Sequence, residues 1–195
     1  MWRSALGPPL TSRAAASSSK RRSTPSASTL RARWRSTSSS TGGFTDRLLA
    51  GGAAKVYAVD VGRLQLHDRL RADPRVVVLE GTDARRLDRA VIREEVTAIV
   101  ADVSFISLTL ALPASLRLAA PEAWLVALIK PQFEAGRGAV GKGGIVRDRT
   151  EREKAVEKVR SFIEEAGWTV VGEIASPILG RSGNAEFLIG ARREA

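Results

Sequence analysis

The chain has 195 residues, no cysteine, a single histidine (His67) and a net charge of +10. That length suits one α/β domain with a real core rather than two large ones. The missing cysteines exclude disulfides and thiolate metal sites, one histidine excludes a histidine-rich site, and no run reaches the ~18 apolar residues of a membrane span.

The charge is uneven. Arg3, Arg13, Lys20, Arg21, Arg22, Arg31, Arg33 and Arg35 lie in residues 1–40 with no acid among them, whereas residues 41–195 carry only +2. This first segment is rich in Ser, Arg and Ala and shows no period of 2 or 3.6, so burial cannot offset the cost of ordering it. It reads as a basic non-domain segment. The suggestion of a polyanionic partner belongs mainly to it. Arg137, Lys142 and Arg147 are weaker pointers, since such charges usually solvate a face.

From Thr41 the character changes. Phe44 to Leu49 reads as a short helix after Gly42-Gly43, and 54–60 (AKVYAVD) as a buried strand. Leu64 to Leu70 fits a helix, with His67 a solvated surface histidine, and 75–80 (RVVVLE) a second strand. The stretch 97–103 (TAIVADV) is a third strand, followed by a helix over Leu108 to Leu118 that tolerates Pro113 near its first turn. The run 124–130 (WLVALIK) is a fourth strand. Arg147 to Ala166 is an amphipathic helix with Val156, Val159, Phe162 and Ile163 on one face and Gly167 at its end. Trp168 to Ala175 and Glu186 to Ala191 close the pattern as two strands. Apolar strands alternating with helices specify a mostly parallel sheet covered on both faces, whose ligand lies beyond the carboxyl ends of the strands.

Those strand ends carry the candidate chemistry. Asp60 lies 18 residues after Gly42, and a glycine turn, a helix and an acid ending the next strand is the layout that receives an adenosine ribose. A strand-end turn residue has the same appearance. Asp83 could face the adenine edge or cap the short helix after it. Asp102 and Lys130 end strands expected to be adjacent, so both would enter one crevice with Asp60. A lysine at an apolar mouth can act as a base oriented by a carboxylate, but a solvated lysine and a capping aspartate fit as well. Glu186 could join them or be an edge residue. The GRGAVG run at 136–141 matches GxGxxG without opening a helix directly after a strand. With Gly143 where a phosphate loop needs Ser or Thr, it reads as a glycine-rich loop over a site.

TGGFTDRLL, KVYAVDVGRLQL, DPRVVVLEGTDARRL, ADVSFISL, LVALIKPQFEAGRGAVGKGGIVRD and SPILGRSGNAEFLI, in that order, resemble the TlyA (hemolysin A-like) family of FtsJ-type ribosomal RNA methyltransferases. The resemblance covers about 41–193 and implies a Rossmann-like class I methyltransferase fold. It implies methyl transfer from S-adenosylmethionine to a ribose 2′-hydroxyl, with ribosomal RNA or a ribosomal subunit as partner, a cytoplasmic setting, and no membrane or metal. Thr41, Gly42 and Gly43 match the end of the cofactor loop, Asp60 the ribose-binding acid and Asp83 the adenine side. Asp102, Lys130 and Glu186 match three of the family's Lys-Asp-Lys-Glu catalytic set. The first lysine has no clear match, and neither does the family's S4-type RNA-binding domain.

The first strand, which should precede the glycine loop, is expected to be missing or degraded. Moved back one base, codons for Thr11 through Ala16 can spell Tyr-Val-Ser-Arg-Gly-Gly. Those for Ser23 through Thr29 can spell Leu-Asp-Ala-Phe-Gly-Val-Asp, and those for Arg35 through Ser38 Ala-Leu-Asp-Val. Residues 11–38 therefore read as a frameshifted version of the absent family segment, with the normal frame returning near Ser39. Such a chain should bind the cofactor poorly and turn over little. A natural basic tail and an organelle transit peptide are the competing readings, and a catalytically inactive RNA-binding remnant or a membrane-active hemolysin are the competing functions.

Overall fold

The computed structural model describes residues 33–35 and 42–194. Seven strands form one sheet in the order β3-β2-β1-β4-β5-β7-β6. They are β1 (Arg33–Arg35), β2 (Val56–Asp60), β3 (Val76–Glu80), β4 (Val96–Asp102), β5 (Ala119–Ile129), β6 (Thr169–Ala175) and β7 (Phe187–Arg192). Strands β1 to β5 are parallel, and β7 runs antiparallel to both β5 and β6. The helices are α1 (Gly43–Ala50), α2 (Asp68–Arg71), α3 (Leu108–Ala111), α4 (Pro113–Leu118), α5 (Pro131–Glu134) and α6 (Arg149–Glu165). This is the mixed, mostly parallel α/β fold expected, and its topology places the carboxyl ends of β1 to β5 and the start of β7 on one edge.

Both faces of the sheet are covered because the inner strands are apolar on both sides. Along β4, Ile99 joins the core against α3, α4 and α6 with Leu108, Leu112, Leu125, Ile129, Val159, Ile163 and Ile189. Its neighbour Val100 joins the opposite core with Leu48, Leu49, Val56, Leu66 and Leu70, under α1 and α2. Ile99→Ala should cost about 2–5 kcal/mol, since the site is closed on every side.

Several elements differ from the sequence pattern for identifiable reasons. Of the expected Leu64 to Leu70 helix only the last three residues are helical, within α2 at Asp68–Arg71. The Glu80 carboxylate takes the backbone N–H groups of Leu64, Gln65 and Leu66, and Leu64 has a φ of 56°. His67 is an exposed surface residue, as expected, and it also caps α2 by accepting from the Arg69 N–H at 3.2 Å. The expected helix over Leu108 to Leu118 is two short helices, because Pro113 has no N–H to continue the first and instead opens the second. Strand β5 begins five residues earlier than expected, at Ala119, with a register shift opposite Val96 and Ala98. Helix α6 starts where the Asp148 side chain accepts from the Thr150 N–H at 2.7 Å, and ends before Gly167, whose φ is 80°.

The expected defect in the first strand is a shortened strand, not an absent one. Three residues of the basic segment fill the central place, pairing Arg33 with Ala58 and Trp34 with Val59 on one side, and Trp34 with Ala101 and Arg35 with Asp102 on the other. Central parallel strands are normally runs of branched apolar residues; this one reads Arg-Trp-Arg. The rest of the basic segment, including the other positions of the frameshift reading, and Thr41 lie outside the described residues.

Candidate active site

On the β2–β3 side, Asp60 ends its strand buried, and its Oδ1 accepts from the Gly62 N–H at 2.7 Å. Glu80 ends β3 beside it, and the two line a shallow depression with Gln65 and Leu66. Burial pushes the Glu80 carboxyl up, but the Leu64 N–H, the Arg71 guanidinium and the Gln65 and Leu66 N–H groups outweigh it and hold it below the usual range. Gly42 precedes α1 with a φ of 91°, and a Cβ there would meet Leu70 Cδ1 at 1.9 Å, so both backbone and space require glycine. Gly43 is the first residue of α1. Asp83 caps the turn at Ala84–Arg86, and both its oxygens engage Arg85, at 2.6 to 3.0 Å, which lowers its pKa. The capping geometry is therefore present at Asp83.

On the β4–β5–β7 side, Asp102, Lys130 and Glu186 are brought together. The Lys130 Nζ lies 2.6 Å from an Asp102 carboxylate oxygen and donates to Ser104 Oγ at 3.0 Å. The register explains the third member: Ile129 pairs with Phe187 antiparallel, so the next step outward sets Glu186 opposite Lys130. Burial raises the Glu186 pKa, opposed by the Lys130 charge, reinforced by the Asp102 charge and opposed by a hydrogen bond from Gln132. Gly180 leaves the room for it, since a Cβ there would sit 2.1 Å from Glu186 Oε1. Asp60, Asp102, Lys130 and Glu186 thus share one edge of the sheet, with β1 between the first and the rest.

Sequence reasoning missed the supports around these groups. Asn184, buried, donates to the Gly144 carbonyl at 2.9 Å and accepts from the Val146 N–H at 3.1 Å. It thereby fastens the glycine-rich loop, which forms no phosphate cradle at a helix start, to the segment before Glu186. The signal was only an asparagine two residues before a strand-opening acid. Glu134 and Ser107 are also buried, and a charged residue in the four-residue α5 gave no sign of it.

The sequence profile of the FtsJ-like methyltransferase family matches residues 37–193. The chain belongs to this family. Among relatives of this FtsJ-like chain, the Mycobacterium tuberculosis protein named 16S/23S rRNA (cytidine-2′-O)-methyltransferase TlyA is 51% identical over 155 residues, covering 80% of this chain and 58% of that one. The Brachyspira hyodysenteriae protein named Hemolysin A is 50% identical over 151 residues, covering 76% and 62%. The chain therefore spans about three fifths of the length of these relatives. A solved Lactococcus lactis structure described as a hemolysin is 43% identical with a TM-score of 0.77, covering 84% of this chain and 78% of that one. Among the described residues of the FtsJ-like chain, no helix is long and apolar enough to cross a membrane, and no three His, Asp or Glu side chains converge as a metal set.

Proposed function

We propose that this chain carries the catalytic domain of an S-adenosylmethionine-dependent methyltransferase acting on a ribose 2′-hydroxyl of ribosomal RNA, in the cytoplasm. The observation that carries the reading is the Lys130–Asp102 contact, with Glu186 across the strand register, on the same sheet edge as the buried acid Asp60. The relatives' names point to the same substrate. The domain runs from about residue 41 to 195, with 33–35 supplying its central strand, and the frameshift reading of 11–38 accompanies it.

The residues present fit the cofactor on its ribose side. Asp60 offers a buried carboxylate oriented by the Gly62 N–H, Gly42 lets the backbone pass close to Leu70 of α2, and Gly43 and, by the family motif, Thr41 would belong to the same loop. Asp83 would face the adenine through its turn. When bound, S-adenosylmethionine supplies an electrophilic methyl group. The chain's own part lies at the acceptor. Lys130 would help take the proton from the 2′-hydroxyl as its oxygen attacks. Asp102 fixes the amine by direct contact, and Glu186 sets the local charge. Alignment of the reacting atoms supplies much of the rate and proton transfer typically a further ~10²–10⁴-fold.

A second reading, a noncatalytic RNA-binding remnant, is favoured by the three-residue β1, because the cofactor loop must spring from that strand. Calorimetry with S-adenosylmethionine and single-turnover methylation of ribosomal RNA separate the two. Cofactor binding with methyl transfer supports the enzyme, and RNA binding without either supports the remnant.

A further inference from the structure

Strands β4 and β5 each run into a short loop and then a short helix, α3 and α5, and the two loops are joined at two levels. At the outer level Lys130 meets Asp102 and Ser104, and the Phe105 and Phe133 rings lie 5.1 Å apart. At the inner level the Glu134 carboxylate accepts from the Leu108 N–H at 2.7 Å and from the Ser107 hydroxyl. Lys158, reaching in from α6, donates to the Glu134 carbonyl at 3.0 Å and to its carboxylate at 3.4 Å. The Glu134 side chain is 1% exposed.

A carboxylate taken that far from water is costly unless its donors are all in place. Here they come from two other elements: the start of α3, with its capping Ser107 hydroxyl, and α6. They satisfy Glu134 at one relative placement of the two loops. Lys130 is the residue that opens α5, and the Phe133 N–H donates to its carbonyl at 2.9 Å. Docking α5 through Glu134 therefore fixes where the Lys130 backbone stands relative to the end of β4.

We propose that Glu134 is a positioning residue that sets the Lys130–Asp102 distance by clamping α5 to the start of α3. The inference rests on the reading of Lys130 and Asp102 as the acceptor-side pair. Glu134 itself touches no reacting atom. Its role is to keep the amine against its carboxylate partner.

The test is trace acylation of the folded protein with acetic anhydride, read lysine by lysine by mass spectrometry, in the wild type, Glu134→Gln and Ser107→Ala. Lys55 is the internal reference. It is paired with Glu94 at 2.7 Å, at the opposite end of the sheet. An amine released from its carboxylate acylates faster, so the Lys130-to-Lys55 labelling ratio should rise about fivefold or more in Glu134→Gln, the size of a ~1 kcal/mol loss. It should rise by less in Ser107→Ala, which removes one donor and keeps the carboxylate. An unchanged ratio in the folded variant overturns the proposal. A parallel rise at both lysines also overturns it, since that reports general loosening. If Glu134→Gln does not fold, an unchanged ratio in Ser107→Ala overturns it by itself. Labelling needs neither cofactor nor RNA, so a failure here leaves the methyltransferase reading standing, and an inactive wild type leaves this result standing.

Discussion

The two halves of the sheet are built to different standards. The half formed by β4, β5 and β7 has long strands, the Lys130–Asp102–Glu186 cluster at its edge, and a buried Glu134 that takes donors from α3 and α6. The half formed by β3, β2 and β1 ends in a central strand of three residues reading Arg-Trp-Arg. Both belong to one fold, yet the residues proposed to act on the acceptor lie on the β4–β5–β7 half, and those proposed to hold the cofactor ribose lie on the other. On the proposed reading, acceptor geometry and cofactor affinity can therefore fail independently.

The largest expected effect breaks the acceptor half. Lys130→Ala should lower single-turnover methyl transfer by ~10²–10⁴-fold and leave S-adenosylmethionine affinity unchanged by calorimetry. Weaker cofactor binding with normal chemistry would remove Lys130 from its role. The next repairs the thin half. Replacing residues 11–38 by the segment their codons spell one base back should tighten cofactor binding by more than about tenfold, or ~1.4 kcal/mol. Sequencing the gene comes first: stop codons in the shifted frame, or a lack of the family motifs there, would end that reading. In the repaired chain Asp60→Ala should weaken cofactor binding by about tenfold, a ~1.4 kcal/mol effect, and spare the rate at saturating cofactor. Equal affinity in that titration would show that Asp60 is only a strand-end residue.

The smallest effect concerns Glu186. Its folded pKa is raised above the ordinary 4.5, so the charged form carries a folding cost above the folded pKa that is relieved as the pH falls below the unfolded value. Glu186→Gln should therefore be slightly more stable than wild type near neutrality, by under about 1 kcal/mol after allowing for solvent screening. The gain should shrink as the pH approaches 4.5 and vanish below it. Thermal unfolding from pH 4 to 8 reads this, and a gain that grows on acidification would reverse the assignment.

Much of this was legible in the sequence where a charged residue interrupts an apolar strand. Asp60, Asp102 and Lys130 stand out as charged residues at the ends of apolar strands, although a turn, a cap or a solvated side chain fitted each of them singly. Glu186 was legible only through the quoted motif, since an acid just before a strand is commonplace; the edge position that the sequence also allowed is excluded, because β7 lies between β5 and β6. The Leu64 to Leu70 helix failed because Glu80, 14 to 16 residues away, captures the backbone donors that a helix start would use, and local periodicity carries no sign of that. Glu134 was invisible for a similar reason: its donors come from Leu108, Ser107 and Lys158, all at least 24 residues distant.

The central claim is that this edge methylates a ribose 2′-hydroxyl of ribosomal RNA. The most direct measurement mixes the repaired chain with unmodified ribosomal RNA and isotopically labelled S-adenosylmethionine, then hydrolyses the RNA in alkali and identifies the labelled product by mass spectrometry. The account predicts label in an alkali-resistant dinucleotide, because a 2′-O-methyl group blocks cleavage of the adjacent phosphodiester, and no label with Lys130→Ala. Label on a base, or no transfer from a chain that binds both cofactor and RNA, would contradict it.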